Sequence, residues 1–425
     1  MKKNKLMNNG DLIVSKESLK YYLIICLIYI FSQNCLYLFS ENNIFIFISL
    51  ILVFILWILG FDSSIKFNFI SFLYLFPIIL SLQAAIIEKI NFPSASVLYS
   101  FFNQIKWWGY SLIFFPVFKL LKKGKIDSGK LINMMIVLAE IQILIGVFQF
   151  FVDDYIIFVH CPLGIRNGNI RYYYPIILMC FSLFYHINRL FSKNIIFKKR
   201  ILSIIWIILA FIEIVIVQQF RSTLMGIIVS IILSFLIGNN KISKKNFIFL
   251  NILIILVFIF LNTNIFNEIK NSIFYNNDNS LGMRNKLINF MLNSIKGSYF
   301  FGRGWMASKE AYNYLASSYY VADGYFSFAD GGIISLYYSY GILGIIWVLI
   351  IWFKLLYNGI FFLRKKENYL YLMYPLYMLI SIYIDIHWYI HNQFFIFSLF
   401  VALSEYNFLI EKKQLKFSLC INKNM

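Results

Sequence analysis

Arginines occur in three segments that lie between long apolar stretches. Arg166 and Arg171 flank Gly168 in "CPLGIRNGNIRYYYP", Arg221 lies in "QQFRSTLMG", and Arg284 lies near the start of "GMRNKLINFMLNS". A guanidinium group is planar, stays charged and binds phosphate or pyrophosphate through two parallel hydrogen bonds. Together the three sites favour a shared anionic ligand more strongly than any one of them does, and the sequence leaves open whether they converge.

The segment that follows Arg284 has the periodicity of an amphipathic helix. Apolar residues recur on one face and polar residues on the opposite face: Leu287, Ile288, Met291 and Ile295 against Asn285, Asn289, Asn293 and Lys296. This pattern predicts a helix of about three turns that lies in the membrane interface with its apolar face toward acyl chains. Two interpretations stay open: Arg284 and Lys286 extend to lipid headgroups, or Arg284 binds a lipid-linked phosphate.

Two further features belong to this set of candidates. The glycine-rich stretch "GSYFFGRGW" contains Gly302, Arg303 and Gly304, and it predicts a tight turn that brings backbone close to a ligand. Arg221 lies in a loop so short that its side chain must be at the membrane surface, where it either anchors a helix end or binds the ligand.

Ionisable residues also occur inside the apolar stretches, where they are costly and mark functional hypotheses. They are Glu140, Glu213, Asp385 and Glu405. We expect Glu405 to extend to the nearby membrane surface, and Glu140 and Glu213 to pair with polar neighbours such as Gln142 or Gln218 or with an arginine. His387 and His391 are one helical turn apart, but no third ligand follows a recognised pattern, so no metal site or cofactor is predicted.

The elements that position these residues are membrane-spanning helices. The chain is 60% hydrophobic and 13% charged, whereas about a quarter of the residues of a soluble protein are charged. Apolar runs long enough to cross a bilayer recur along it and predict an all-α, polytopic membrane protein of about twelve helices in a single domain, residues 1–425. We place the spans near residues 20–39, 44–61, 68–87, 99–118, 131–152, 172–188, 201–218, 222–238, 247–262, 332–353, 369–386 and 394–410. The Trp pair in the fourth span is typical of an interfacial belt.

Charge predicts the orientation of these spans. The net charge of +19 is spread over short basic clusters between the apolar runs, which argues against nucleic-acid binding. By the positive-inside rule, both termini face the cytoplasm. The longest loop, residues 263–331, then lies outside, and it is long enough that we expect it to fold and to have a function.

The order of these motifs resembles the O-antigen polymerase and O-antigen ligase families of bacterial surface-glycan assembly. The matching pieces are Arg166-Asn-Gly168 before a span, Arg221-Ser-Thr at the start of a span, Arg284 in an external helix, Gly302-Arg-Gly304, and "DGGIISLYYSYGILGIIWV" (residues 330–348). Ligases of this group typically have a histidine where this chain has Asp330, and this departure favours a polymerase.

The resemblance implies a GT-C-like architecture in the cytoplasmic (inner) membrane. The substrate would be an oligosaccharide on a polyprenyl pyrophosphate at the outer face, and the partners would be membrane lipids, a chain-length regulator and a flippase. Because C1 of such a sugar already carries a good leaving group, the enzyme needs mainly to position the reactants and stabilise the pyrophosphate.

The roles follow from that chemistry. Arg221 and Arg284 would hold the pyrophosphate, with Arg166, Arg171 and Arg303 as further binding residues and Gly302, Gly304 and Asp323 beside them. A general base, if one is needed, would be chosen among Asp330, Asp323, Glu310, Asp153 and Asp154, of which we prefer Asp330. The alternatives are an O-antigen ligase, a flippase for lipid-linked glycan, a peptidoglycan polymerase of the shape-and-division family, or a scaffold in a glycan assembly complex.

Overall fold

The computed structural model describes most of the chain as helix. The described residues are 16–33, 35–36, 38, 43–60, 69–152, 160, 163–166, 169–172, 175–192, 195–218, 221–238, 279–311, 331–381 and 393–423. Several features named above lie outside these ranges: the predicted ninth span, Asp323, Asp330, Asp385, His387 and His391.

The helices follow the apolar runs of the sequence, because a backbone in hydrocarbon must satisfy its hydrogen bonds internally. In chain order they are α1 (Lys16–Ser32), α2 (Asn43–Gly60), α3 (Phe69–Asn91), α4 (Val97–Asn103), α5 (Ile105–Ser111), α6 (Phe114–Lys122), α7 (Ser128–Val152), α8 (Ile176–Phe191), α9 (Phe197–Ile212), α10 (Arg221–Gly238), α11 (Asn279–Ser294), α12 (Ile333–Lys366), α13 (Leu370–Ser381) and α14 (Phe394–Lys423). A π-helical turn, Glu213–Val217, continues α9.

Within the described residues, six helices are long and apolar enough to cross a membrane. They are α2, most of α3, α7, α9 with its π-helical turn, α12 and most of α14. Shorter apolar helices occupy Ser18–Ser32, Ile176–Phe191, Thr223–Gly238 and Leu370–Ser381. The chain is therefore a helical protein with several candidate membrane spans.

The predicted fourth span is not one continuous helix. It is divided into α4, α5 and α6, and Gln104 lies at the first division with φ −88° and ψ 9°. The Gln104 side chain donates to Ser100 O at 3.0 Å and accepts from the Tyr340 hydroxyl at 2.7 Å. Trp107 of the expected interfacial pair is 2% exposed and packs on Tyr340 and Trp347. A single continuous span was therefore the wrong prediction here, because the segment turns at Gln104 and its second part packs on α12.

A short β-hairpin, which no sequence pattern predicted, precedes α8. Its strands are β1 (Leu163–Arg166) and β2 (Asn169–Tyr172), and they are antiparallel. The register pairs position 166 with 169 and position 171 with 164. Directly paired positions lie on the same face of a hairpin, as do positions two apart on one strand. Positions 164, 166, 169 and 171 therefore share one face, which includes Arg166 and Arg171.

Two carboxylates in the helices differ from expectation. Glu405 is 4% exposed and does not extend to the surface. One of its oxygens lies 3.2 Å from the Lys354 ammonium and accepts from Asn358 at 3.2 Å, so an internal ion pair compensates its charge. Glu140 pairs with His186 at 3.0 Å, rather than with an arginine or glutamine.

Contacts between helices bring several helix ends together at one end of the molecule. The backbone N–H of Ile177, at the start of α8, donates to Gln393 at 3.1 Å, just before α14. Phe394 then packs on Trp107, and Trp107 packs on Tyr340 of α12. The beginnings of α8, α12 and α14 therefore share one end, which we call the arginine end.

The opposite helix ends meet at the other end of the molecule. The N–H of Tyr369, before α13, donates to Asn188 near the end of α8 at 2.7 Å. Gly238, the last residue of α10, lies against Tyr369 and Leu363. Because α10 ends here, its first residue, Arg221, lies toward the arginine end. The hairpin with Arg166 and Arg171 also lies there, because α8 begins shortly after it.

Candidate functional site

The helix α11 carries Arg284 and is docked on the protein. Leu287, Met291 and Ile295 are 3%, 0% and 1% exposed, and the first two belong to an apolar cluster with Met306 and Tyr338. The expectation that this apolar face meets acyl chains was therefore wrong. Periodicity identifies an apolar face, but other parts of this protein cover it.

The opposite face of α11 is exposed, as the periodicity predicts. Asn285, Lys286, Asn289 and Asn293 are exposed, and Arg284 is half-buried at the margin of the docked face. An ammonium, a guanidinium and three amide groups thus occur on one short helix. Such groups can donate several hydrogen bonds to an anion with negatively charged oxygens.

The helix α12 breaks at Gly341, and the loop after α11 fills the break. Gly341 has φ +63° and ψ −157°, which removes it from the helical ladder. The N–H of Arg303 donates to Tyr338 O at 2.6 Å, and the N–H of Gly304 donates to Ser339 O at 3.3 Å. In return, the N–H of Ile342 donates to Tyr299 O at 3.0 Å. The loop therefore satisfies backbone groups that the break exposes.

Glycine is required where this loop meets the helices. Gly302 and Gly304 have φ +76° and +99°, which side chains with a Cβ rarely adopt. A Cβ at residue 302 would be 2.6 Å from Ser339 O, and one at residue 304 would be 2.7 Å from the Glu88 side chain. The predicted close approach of backbone is present, and its partner is the protein itself.

Arg303 is bound within the protein. Its Nε donates to Ser294 O at 2.6 Å and one terminal nitrogen donates to Asn91 Oδ1 at 3.3 Å, while Asn91 donates back to Arg303 O at 3.2 Å. Ser294 is the last residue of α11, where a positive charge complements the helix dipole. Arg303 thus joins the end of α11 to α3 rather than presenting a whole guanidinium to a ligand.

Glu88 of α3 is a second anchor, which the sequence analysis did not identify. It is fully buried. One oxygen accepts from the N–H of Ser308 at 2.7 Å, and the other accepts from the Ser100 hydroxyl at 2.8 Å. Nearby, Glu310 accepts from the N–H of Ser94 at 3.1 Å. Glu310, a candidate base, thus holds the loop against the start of α4.

The remaining candidates are placed as follows. Arg221 is the first residue of α10, and Arg166 and Arg171 lie on the hairpin, so their backbone positions share the arginine end with α11. Asp323 and Asp330 lie outside the described ranges. Gly331, the next residue after Asp330, lies against Met291 of α11.

The elements that carry these arginines therefore lie toward one end of the molecule, and the structure adds the break at Gly341 and the anchor Glu88. A sequence signal for the break was present, since Gly341 interrupts an otherwise apolar helical run. Glu88 gave no such signal. The chain matches no protein-family model and no curated protein.

Proposed function

We propose that this protein is a glycosyltransferase that polymerises polyprenyl-pyrophosphate-linked oligosaccharide repeat units at the outer face of the cytoplasmic membrane. The motif order that resembles O-antigen polymerases motivates the proposal. The observation that carries it is the docking of α11: a helix with Arg284 and Lys286 is held at the arginine end by the loop in the α12 break. A fixed cationic group is what a reaction with a pyrophosphate leaving group requires.

In the proposed reaction, the hydroxyl of one repeat unit attacks C1 of the sugar on another carrier. The bond from C1 to the pyrophosphate oxygen breaks, and polyprenyl pyrophosphate leaves. Arg284 and Arg221 stabilise the charge that develops on the pyrophosphate, and Asp330 accepts the hydroxyl proton. Arg303, Gly302, Gly304 and Glu88 keep α11 and its loop in place and do not need to touch the substrate.

The test is reconstitution of the purified protein in liposomes with a polyprenyl-pyrophosphate-linked repeat unit. Polymer length is measured on a gel, and released polyprenyl pyrophosphate is measured in parallel. Arg284→Ala should reduce turnover by about 100-fold or more, the loss typical of removing a donor to a developing oxyanion. Arg284→Lys should recover part of the lost turnover, since lysine keeps the positive charge but cannot form the two parallel hydrogen bonds of a guanidinium group.

Lys296→Ala is the matched control, because Lys296 is an exposed cation just after α11 and the proposal gives it no role. Equal activity of Arg284→Ala and the wild type would refute the role of Arg284. In cells lacking the gene, a single repeat left on the carrier would support polymerisation, whereas finished polymer retained on the carrier would indicate a ligase.

A transporter of lipid-linked glycan is the second candidate, because the structure contains interrupted helices. The break at Gly341 and the π-helical turn Glu213–Val217 are features that transporters use to build polar sites within the membrane. Liposomes with labelled lipid-linked glycan in one leaflet distinguish the two candidates. Movement of the label between leaflets without polymer formation would favour the transporter.

A further inference from the structure

Glu213 lies at the start of the π-helical turn and is buried inside the helical bundle. It is 1% exposed. Its Oε1 accepts from Gln218 Nε2 at 3.2 Å, whereas its Oε2 has no hydrogen-bond partner among the described residues. The Oε1 of Gln218, a fully buried residue, likewise has no partner there. Two buried acceptor oxygens thus occur within one turn of π-helix without a donor for either.

Three other carboxylates packed within the described helices, two of them buried and one partly buried, differ from Glu213. Glu88 has a donor on each oxygen, and Glu405 has an ammonium at 3.2 Å. Glu140, which is 18% exposed, faces His186 at 3.0 Å. An unpaired charge or polar atom in a dry interior destabilises the folded protein, because it loses its hydrogen bonds to water and gains none. Each of these three carboxylates has a hydrogen-bond donor or a cationic partner. We therefore expect a partner for the Glu213 carboxylate as well.

The surroundings of Glu213 make room for its carboxylate. Gly146 of α7 faces it, and a Cβ at residue 146 would be 2.4 Å from Glu213 Oε1. Gln142 and Gln149, one turn before and after Gly146, are also buried, so this side of α7 is polar. Gln142 is engaged elsewhere, since it accepts from Tyr29 and donates to Pro175 O.

The elements packed on the π-helical turn are α7, α9 and α10. Of their charged groups, Lys130 lies near the start of α7, and Glu140 is paired with His186. The cluster Lys198, Lys199 and Arg200 is at the far end of α9. Arg221 begins α10, and its side chain lies outside the described part. Among the residues described, none forms an ion pair with Glu213.

We propose that Glu213 and Gln218 form an intramembrane site for a monovalent cation. The cation is either a proton on Glu213, which can then donate a hydrogen bond, or an alkali metal ion between the two side-chain oxygens. A divalent ion fits less well, because the described residues contain no group of three or more His, Cys, Asp or Glu side chains that could hold a metal. The π-helical turn departs from the regular α-helical ladder, since the N–H of Gln218 donates to Glu213 O at 2.9 Å, five residues back. This inference does not depend on the proposed glycosyl transfer.

Two measurements on the full-length protein in lipid nanodiscs test the site and separate its two sources. A proton on Glu213 gives an infrared carbonyl band of a neutral carboxylic acid near neutral pH, and Glu213→Gln removes that band. A metal ion raises the thermal midpoint in sodium or potassium chloride above that in choline chloride of equal ionic strength, because ligands stabilise the state that they bind. Glu213→Gln abolishes that difference.

A second variant, Gly146→Ala, tests the site even if Glu213→Gln fails to fold. Gly146→Ala keeps every ionisable group but displaces the Glu213 carboxylate, so we expect it to shift the acid band or to remove the ion-specific stabilisation. Glu405→Gln is the control, because Lys354 already compensates Glu405, and it should leave both signals unchanged. If the wild type shows neither an acid band nor a metal-specific rise in thermal midpoint, Glu213 is ionised and paired within the chain, and the proposal is wrong.

Discussion

Gly341→Ala tests whether the loop after α11 is inserted into a broken helix. The added Cβ would lie 2.2 Å from Phe300 O and 2.7 Å from Gly302 N. Both atoms are backbone, so neither can swing away as a flexible side chain would. At φ +63° and ψ −157°, any residue with a Cβ is also strained.

The expected cost has two parts. Forcing a residue with a Cβ into this conformation costs about 1–3 kcal/mol. Overpacking against fixed backbone costs about 1–3 kcal/mol more. The sum, about 2–6 kcal/mol, is a large fraction of the roughly 5–15 kcal/mol that stabilises a typical domain, and we expect the loop to leave the break before the whole protein unfolds.

Thermal unfolding and limited trypsin digestion in nanodiscs measure the effect. Gly341→Ala should lower the thermal midpoint by several degrees and increase cleavage after Arg303, whose side chain is bound in the wild type. Gly297→Ala is the matched control, since Gly297 has φ +87° but no heavy atom within 4 Å of the added Cβ. Backbone strain alone should cost it about 1 kcal/mol.

Comparing Gly341→Ala with Gly297→Ala tests whether the loop is inserted in the α12 break. If Gly341→Ala is no less stable than Gly297→Ala and trypsin cleaves both equally after Arg303, the loop is not inserted in the α12 break. Insertion of this loop would then not be what holds α11, and with it Arg284, in place. If Gly341→Ala is less stable and also loses polymerisation, while Gly297→Ala keeps it, the inserted loop supports activity.

Two further variants address Arg303, an anchor of the same loop, and the bond between α12 and Gln104. Arg303→Ala should lower stability by about 1–3 kcal/mol, because Ser294 O and Asn91 Oδ1 lose a charged donor, and Arg303→Lys should restore part of this in the same thermal assay. A wild-type thermal midpoint in Arg303→Ala would mean that the guanidinium is not engaged as described. Tyr340→Phe removes the hydroxyl that donates to Gln104 at 2.7 Å inside the protein, and a loss of about 1–2 kcal/mol is expected. Unchanged unfolding of that variant would show that Gln104 finds another donor.

The sequence predicted the features of the fold that depend on residues close together in the chain. Apolar runs predicted helices because backbone in hydrocarbon must form its own hydrogen bonds, and most predicted spans in the described ranges are helical. The fourth span differed, because it is divided into three short helices rather than one long one. Its composition resembles that of its neighbours, but Gln104 and Trp107 bond and pack with α12, far along the chain.

The candidate site also combines features that local sequence predicts with contacts between residues far apart in the chain. The sequence predicted the polar and apolar faces of α11 and the close backbone approach around Gly302 and Gly304, because both depend on local spacing and on the lack of a Cβ. It did not predict that Arg303 would bond to Asn91, which is 212 residues away, or that Glu88 would hold the N–H of Ser308.

By itself, the sequence determined that the chain is helical and apolar enough to enter a membrane, and it located the segments that carry the candidate arginines. Tertiary structure decided what covers each apolar face and which buried charges are compensated. The physical reason is that periodicity depends on neighbours three or four residues apart. The choice between lipid, protein and a bound cation depends on contacts between helices distant in the chain, such as that between Gly146 and Glu213.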